Sequence, residues 1–374
     1  MSFGRRSGFF QPQSRFGAGS ATAAQIVTIT RSIVNSSTVS FTFTNAGLPN
    51  TNVGYNIIGA DVDDFTDSTV LGQVTLNGSG TATLLKTITT AEDVGTTKNF
   101  YVSAFAVNDR ITGTSGNVTI ETSNPFAATG GNSFTVSGNV FHVFTANSTL
   151  QVTQLATGAE ANSQLRMLLV GAGGSIISTI AGGGGGAGGL IDSNINANAF
   201  TTSSYSVVVG NGVASSNGAN STFAGYTAIG GGAGSNGGAA GSAGGSGGGG
   251  GSNGSAGGAG TSGQGFAGSA GLSSRNSGGN GGGATEAGLD PSNIITRGGN
   301  GKLVSWVPDG YGDPNFPKYF AGGGGGSFNT YAMGSRGDNT GGGGHRSSGE
   351  TLGRSGIAIL SYPTFTPFRS IKLG

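Results

Sequence analysis

RMLLVGAGGSIISTIAGGGGGAGG, residues 166–189, begins as a hydrophobic strand and continues into glycine. Its front half carries part of the pattern of a dinucleotide-binding turn, which needs Gly-x-Gly-x-x-Gly, a following helix and an acidic residue about twenty positions later. Gly171 and Gly173 fill the first two glycine positions, but Ile176 occupies the third, where a branched side chain blocks close packing of a helix on the strand. The residues that follow have low helix propensity. We therefore do not expect this stretch to bind a dinucleotide.

The composition of the chain excludes several classes of protein. Of its 374 residues, 79 are glycine, only 9% are charged, and the net charge is +1. A chain so nearly neutral is not expected to bind nucleic acid or an anionic membrane surface through its overall charge. It has no cysteine, which excludes disulfides and thiolate metal sites. It also lacks a signal-peptide pattern and an uncharged apolar run of about 18 residues, so we expect no membrane insertion.

Residues 1–24 are interpreted as a docking arm. The segment contains three arginines and four phenylalanines but no acidic residue, and it has no helical or alternating period that would bury its aromatic rings. A frayed chain terminus is the alternative. We favour docking to a partner protein, because exposed aromatic rings on a free tail promote unwanted association. The residues expected to make this contact are Arg5, Arg6, Phe9, Phe10, Arg15 and Phe16.

Residues 25–124 have the pattern of a β-sandwich. Six segments, among them QIVTITRSI and TVSFTFT, mostly alternate apolar with polar residues and are separated by Gly, Asn, Pro or Asp. Six or seven short strands in about a hundred residues are typical of this fold. The motifs GYNIIGADVDDF, VLGQVTLNGSGTATLLKTI and NFYVSAFAV resemble immunoglobulin-like and Calx-β-like repeats of bacteriophage structural proteins. The resemblance implies an immunoglobulin-like fold for this part of the chain.

The acidic turn DVDDFTD within this region is a candidate calcium site. Calx-β-like domains sometimes bind calcium, and clustered carboxylate oxygens suit that ion. However, the turn does not follow the Asp-x-Asp-x-Asp-Gly spacing of a calcium loop, and a solvated turn between strands is the alternative. The sequence leaves both interpretations open for Asp61, Asp63, Asp64 and Asp67.

Residues 125–362 are expected to form an ordered glycine-rich domain. Glycine runs recur between residues 171 and 353, and apolar segments such as YSVVVGNG and GIAILSY interrupt or close them. Ordering a residue costs about 1–2 kcal/mol of backbone entropy and glycine is the most costly, while one net hydrogen bond returns about 0.5–1.5 kcal/mol. An isolated glycine run is therefore a flexible coil. In a bundle, extended helices with three residues per turn pair laterally, which predicts polyglycine-II-like helices clamped between strands.

These patterns predict an all-β chain in four parts. They are a docking arm (1–24), an immunoglobulin-like β-sandwich (25–124), a β-strand-framed glycine-rich domain with polyglycine-II-like helices (125–362) and a C-terminal tail (363–374). The ordered motifs of the third part, including FHVFTANSTLQV, LLVGAGG, GGGGGAGGLI, YFAGGGGG and GRSGIAILSY, resemble the glycine-rich domain of tailed-bacteriophage virion and tail-fibre proteins.

The resemblance implies a non-enzymatic structural protein of a virion, located on the phage tail or the particle exterior. It further implies a tail fibre or tail-tip adhesin that contacts a glycan or protein of the host surface. The alternative is a capsid or tail decoration or cement protein without receptor binding. The arm would then dock to other virion proteins. A homo-oligomer, with a trimer favoured, would help to stabilise so glycine-rich a chain.

The loop KLVSWVPDGYGDPNFPKYF, residues 302–320, is the candidate receptor contact. It holds the only tryptophan and three of the nine prolines, and prolines reduce the entropy that a loop loses on binding. Packing as a local core over the glycine helices is the alternative. The residues expected to touch a receptor are Trp306, Tyr311, Phe316, Tyr319, Phe328 and Tyr331.

Catalysis is not expected from this sequence, and no cofactor is predicted. His142 and His345 are the only histidines, and they lie in unrelated contexts. His142 alternates with phenylalanines in NVFHVFT, which predicts a packed strand residue. His345 lies in a glycine loop whose sequence, GHRSSGE, lacks a nucleophile-elbow pattern.

Overall fold

The computed structural model describes residues 25–89, 97–106, 111–157, 163–177, 182–292, 296–326, 335–345, 351–364 and 368–374. The predicted all-β fold is confirmed: the strands form several mainly antiparallel sheets, and no helix among these residues reaches seven residues. No helix in the described ranges is long and apolar enough to cross a membrane. The docking-arm residues lie outside those ranges. The chain divides into two units, Met1–Thr122 with Phe368–Gly374 and Ser123–Pro367.

The strands follow one another along both units. From the N-terminal end they are β1 (Gln25–Ile26), β2 (Thr28–Asn35), β3 (Thr38–Thr44), β4 (Asn52–Ile58), β5 (Leu71–Thr75), β6 (Thr81–Thr87), β7 (Lys98–Phe105), β8 (Ile111–Thr114) and β9 (Val118–Ser123). The second unit contains β10 (Ala127–Thr129), β11 (Asn132–Val136), β12 (Asn139–Phe144), β13 (Ser148–Gln154), β14 (Gln164–Val170), β15 (Leu190–Asn196), β16 (Ser204–Val208), β17 (Ser221–Phe223), β18 (Tyr226–Ala228), β19 (Lys302–Leu303), β20 (Tyr319–Phe320) and β21 (Ile357–Pro363). The last strand is β22 (Phe368–Leu373). Helical structure in the described ranges is limited to the 3₁₀ turns Val62–Asp64, Ala197–Ala199 and Ser273–Arg275.

The first unit is a sandwich of two sheets. One has the strand order β2-β3-β6; the other has the order β1-β8-β7-β4-β5, and β9 pairs with both β7 and β22. Phe41 of β3 packs on Phe100 of β7, with ring centroids 6.2 Å apart. Phe43 packs on Tyr55 of β4 at 6.4 Å. The alternating apolar residues of both sheets thus meet in one core, in the Greek-key order of an immunoglobulin-like sandwich.

The C-terminal strand completes this first unit. β22 pairs with β9, and Ile371 is buried in the sandwich core. Arg369, 4% exposed, binds the carboxylate of Asp64, which is 1% exposed. The sequence pattern predicts a tail for residues 363–374, whereas residues 368–373 form a strand. The segment FRSIKL is too short for its alternation to indicate a strand. Its pairing partner β9 lies far away in the sequence, so the local pattern does not show the pairing either.

The second unit frames its glycine segments with two five-stranded sheets. Their strand orders are β10-β13-β16-β17-β18 and β11-β12-β21-β14-β15. From Met167 to Val170 β14 is buried on both faces, which explains its continuous apolar run, whereas Gln164 and Arg166 are exposed. Leu165, Met167 and Leu169 belong to the core that includes Leu150 of the first sheet, while Leu168 and Val170 belong to a second core on the opposite face.

Residues 182–189 form an extended helix whose hydrogen bonds repeat every three residues. The N–H groups of Gly183, Gly186 and Gly189 donate to residues 229–235, those of Gly184 and Ala187 donate to residues 279–282, and those of Gly185 and Gly188 donate to residues 341–344, all at 2.7–3.0 Å. Successive residues thus bond to three different neighbours, as three residues per turn requires. Residues 171–176 and 246–251 show the same repeat. These are the predicted polyglycine-II-like helices.

The helix over residues 182–189 lies inside a bundle of such segments. Its carbonyl groups accept hydrogen bonds from residues 171–174, from residues 246–249 and from Gly324, so six neighbouring segments surround it. This close approach requires glycine, because a Cβ on Gly183 would lie 2.1 Å and one on Gly185 would lie 1.9 Å from a neighbouring carbonyl oxygen. Alanine occurs at Ala187, where the helix meets the second apolar core.

Candidate binding surface

The loop over residues 302–321 covers part of one face of the second sheet. Val304, Val307 and Phe320 are at most 1% exposed, and they share a core with Leu168 and Val170 of β14. The pairing of β19 with β20 closes the base of the loop. This part of the loop is a local core. A receptor contact would therefore involve the side chains that remain partly exposed above it.

Four aromatic side chains form a stack across this face. Phe134 of β11 and Phe141 of β12 are cross-strand partners, with ring centroids 5.8 Å apart and planes 18° apart. Tyr311 extends the stack beyond Phe134 at 6.4 Å and 2°. Trp306 extends it beyond Phe141 at 6.5 Å and 16°. We call these four residues the aromatic ladder, in which nearly parallel rings follow one another across two strands and the loop.

Trp306 is held firmly at one end of the aromatic ladder. Its indole N–H donates to Oδ1 of Asp192 at 3.0 Å, and Oδ2 of Asp192 lies 2.9 Å from the ammonium group of Lys302. On the indole ring lies the guanidinium group of Arg166, with its central carbon 5.7 Å from the ring centroid. This distance is in the range of a cation–π interaction. The hydrogen bond on its N–H and the contact on its ring therefore hold the indole in one orientation.

Two grooves open beside the aromatic ladder, and both are lined by Asn139. The first, which we call the aromatic groove, has a volume of about 330 Å³ and is lined by Phe141, Trp306, Pro308 and other residues of the loop and β12. The second, the Arg166 groove, has a volume of about 270 Å³. Its lining residues are Asn139, Gln164, Arg166, Asn194, Ser361, Tyr362 and Pro363.

Comparison with known families accounts for most of this second unit. The family model of a glycine-rich domain matches residues 145–363, more than half of the chain. The chain belongs to this glycine-rich domain family. The match includes both Arg166 and the loop with Trp306, whereas Phe134 and Phe141 precede it. No curated protein and no solved structure matches the chain.

The sequence-predicted receptor residues fall in separate places of the glycine-rich domain. Trp306 and Tyr311 belong to the aromatic ladder. Phe316 and Tyr319 form their own edge-to-face pair at 6.4 Å, in which Phe316 is 37% exposed. Phe328 and Tyr331 lie outside the described residues.

Sequence reasoning missed several residues of this surface. Phe134 and Phe141 complete the aromatic ladder, Asp192 fixes the indole, and Arg166 and Asn139 line the grooves. The sequence does indicate that Phe134 and Phe141 lie on one face, because the alternation in SFTV and NVFHVF puts every second side chain on one sheet face. Nothing in the sequence indicates a binding role for Arg166 or Asp192, since an isolated polar residue on a strand normally faces solvent.

His142 of the glycine-rich domain is a packed strand residue, as the sequence predicts. It is 1% exposed; its Nδ1 lies 2.8 Å from the carbonyl oxygen of Gly130 and its Nε2 lies 3.0 Å from the hydroxyl of Tyr362. Because a carbonyl oxygen only accepts, Nδ1 carries the proton and Nε2 accepts from Tyr362. Burial lowers the pKa of His142, although the hydrogen bond to Gly130 opposes the shift. His345 is also buried.

We expect the thermal stability of the glycine-rich domain to fall as the pH is lowered from about 7 to about 5.5. The folded protein holds the pKa of His142 below its ordinary value of 6.5, so the unfolded chain binds more protons in this range. The stabilisation is complete above pH 6.5 and is lost as the pH falls toward the folded pKa. His142→Gln should weaken this pH dependence, as measured by thermal unfolding between about pH 5 and pH 8. Equal pH dependence in both proteins would contradict the assignment.

The acidic turn of the N-terminal sandwich is ion-paired with lysines. Lys98 lies 3.1 Å from Asp64 and 3.2 Å from Asp61, and the buried Lys86 lies 2.8 Å from Asp67. Burial opposes ionisation of Asp64 and Asp67, but hydrogen bonds from neighbouring cations outweigh it and the pKa of each is lowered. Among the described residues, no group of three or more His, Asp or Glu side chains is arranged to hold a metal ion. The geometry favours an ion-paired turn over a calcium site.

Proposed function

We propose that the chain is a non-enzymatic structural protein of a tailed-bacteriophage virion, acting as a tail fibre or tail-tip adhesin that contacts the host surface. The observation that carries the adhesin role is the aromatic ladder with its two grooves, on one face of the sheet that frames the glycine bundle. The virion assignment is supported by the resemblance of the ordered glycine motifs to proteins of that class. On this proposal the protein lies on the exterior of the tail or particle.

The glycine bundle supports this role because it is a rigid base for loops. Its helices are joined to their neighbours by backbone hydrogen bonds in three directions, so their positions are fixed without large side chains. Binding residues commonly lie on loops that a rigid scaffold positions. Pro308, Pro314 and Pro317 further restrict the loop over residues 302–321, which lowers the entropy it loses when a partner binds.

The proposal also assigns roles to the remaining parts of the chain. Residues 1–24 dock the protein to another virion component through arginine and phenylalanine side chains, and the immunoglobulin-like sandwich acts as a spacer. The chain assembles as a homo-oligomer, with a trimer favoured, because shared packing stabilises it. Light scattering of the purified protein measures the molar mass of the oligomer. A monomer at micromolar concentration would contradict the assembly.

Competition for adsorption tests the adhesin role. We expect the purified protein, added in excess, to block adsorption of its phage to host cells. Trp306→Ala should weaken this competition by about tenfold or more, because it removes the indole that ends the aromatic ladder and orients Arg166. Phe266→Ala is the matched control, since Phe266 is an exposed aromatic residue (48%) that lines neither groove.

The alternative is a decoration or cement protein of the particle. It is favoured by the fully buried half of the loop, where Val304, Val307 and Phe320 act as core. In that case the wild-type protein does not compete for adsorption, and particles that lack it are less stable to heat. Competition by the wild type and Phe266→Ala but not by folded Trp306→Ala supports the adhesin role instead. Thermal unfolding of each variant checks that it is folded.

A further inference from the structure

Most of the side chains that line the Arg166 groove can form hydrogen bonds. The strand register sets Arg166 of β14 beside Asn194 of β15 on one side and Ser361 of β21 on the other. Asn139 and Gln164 line the adjoining part of the groove. One guanidinium, three amides and the hydroxyl-bearing Ser361 and Tyr362, together with Pro363, therefore surround a space of about 270 Å³. Such a lining suits a polar ligand with several oxygen atoms.

Among the described residues that line this groove, Arg166 alone is charged. In the described part of the chain no carboxylate forms an ion pair with it. Asp192, which accepts the hydrogen bond from the indole N–H of Trp306, forms its ion pair with Lys302 instead. The guanidinium carbon lies 5.7 Å from the centroid of the Trp306 ring, a cation–π distance that keeps the charged group beside the indole, and its N–H groups remain available. The described walls of the groove thus present one positive charge without a paired carboxylate.

We propose that the Arg166 groove binds a sugar that carries a carboxylate group, a deduction that rests on the proposed contact with the host surface. The planar fork of an arginine binds a carboxylate through two parallel hydrogen bonds. The amide groups of Asn139 and Asn194 each donate and accept, which matches the paired hydroxyls of a sugar ring. Without the charge of Arg166, the same walls would not distinguish an acidic sugar from a neutral one.

The dimensions of the surface fit this class of ligand. A groove of about 270 Å³ lies just below the range of about 300–1,000 Å³ that holds drug-sized molecules, so it accommodates a small unit such as one sugar ring. Asn139 also lines the aromatic groove, where Phe141, Trp306 and Pro308 offer apolar surface. A second ring of an oligosaccharide would continue there, with its C–H face on these side chains.

Titration of the full-length protein with glucuronate tests this proposal. Trp306 is the only tryptophan, so its single indole N–H resonance reports on the groove without assignment of the other signals. We expect saturable shifts of this resonance with glucuronate and binding at least about tenfold weaker for glucose, which lacks the carboxylate. Inorganic phosphate should bind more weakly than glucuronate because it lacks the ring hydroxyls that pair with the amide groups.

Two arginine variants make the test specific. Arg166→Gln should weaken glucuronate binding by about tenfold or more and leave glucose binding unchanged. Arg275→Gln removes the same charge from an exposed position outside the groove and should bind glucuronate as the wild type does. The comparison of glucuronate with glucose on the wild-type protein does not depend on the folding of either variant.

The outcomes separate this proposal from the proposed function. Equal binding of glucose and glucuronate, equal binding of phosphate, or an equal loss in Arg275→Gln would each overturn the acidic-sugar site. If adsorption competition succeeds while glucuronate does not bind, the adhesin role stands and this ligand is wrong. If glucuronate binds as expected while competition fails, the site stands and the adhesin role is wrong.

Discussion

Replacing Gly185 with alanine is expected to lower the free energy of unfolding of the glycine-rich domain by about 4 kcal/mol or more. An added Cβ would lie 1.9 Å from the carbonyl oxygen of Gly174 and 2.8 Å from the backbone nitrogen of Gly344. Both are backbone atoms of neighbouring segments, which cannot move aside by a change of rotamer. The bundle must therefore open around the methyl group, and the hydrogen bond from Gly185 to Gly344 is strained or lost.

Gly238→Ala provides the matched control for this substitution. The nearest atom to a Cβ at Gly238 is the side-chain amide nitrogen of Asn253 at 3.6 Å, and the residue is exposed. We expect a change within about 0.5 kcal/mol at this position. Calorimetry of both variants measures the difference. A Gly185→Ala protein that unfolds at the wild-type temperature would show that the helices do not approach as closely as described.

Deletion of Phe368–Gly374 is expected to unfold the N-terminal sandwich while the glycine-rich domain stays folded. The deletion removes β22, takes Ile371 out of the core and leaves the buried Asp64 without Arg369. Asp64 keeps Lys98 as a partner, so loss of Arg369 costs less than the about 3–5 kcal/mol of a fully unpaired buried charge. Loss of a buried isoleucine adds about 1.5–3 kcal/mol, and the pairing of β22 with β9 is lost as well. Together these losses approach the lower end of the stability of a typical small domain, about 5–15 kcal/mol.

Calorimetry and limited proteolysis of the deletion variant check this expectation. Residues 25–122 should become sensitive to protease, while residues 123–364 stay resistant. Lys372→Gln is the control within the same strand, because it removes only the ion pair of the exposed Lys372 (59%) with the partly buried Glu121 (23%) and keeps β22, Ile371 and Arg369 in place. An N-terminal unit that still unfolds at the wild-type temperature after the deletion would exclude a stabilising role for β22.

Local patterns were sufficient to predict the regular parts of both units. In TVSFTFT the apolar positions Val39, Phe41 and Phe43 are all 0% exposed, as alternation along a strand requires. The glycine runs predicted a bundle because glycine permits lateral hydrogen bonding but cannot be ordered alone. In both cases the decisive property belongs to a short stretch of chain, so the sequence of that stretch contains it.

The arrangement of distant segments could not be predicted in this way. Trp306 binds Asp192, and Arg369 binds Asp64, although each pair is separated by more than one hundred positions. Periodicity indicates which face of a strand is apolar, but it does not indicate which other strand covers that face. Arg166 illustrates the limit, since nothing in its local sequence indicates the indole that lies beside it.

The period of three in the glycine helices imposes a counting rule on their lengths. Inserting one residue into the segment over residues 182–189 would rotate every later N–H by about 120° and aim it at a different neighbour. An insertion of three residues restores every direction and only lengthens the helix. Turns such as the one at Gly254, which has a φ of +75°, do not obey this rule. We therefore expect related chains to differ freely in length at the turns, and the bundle interior to change only in whole triplets.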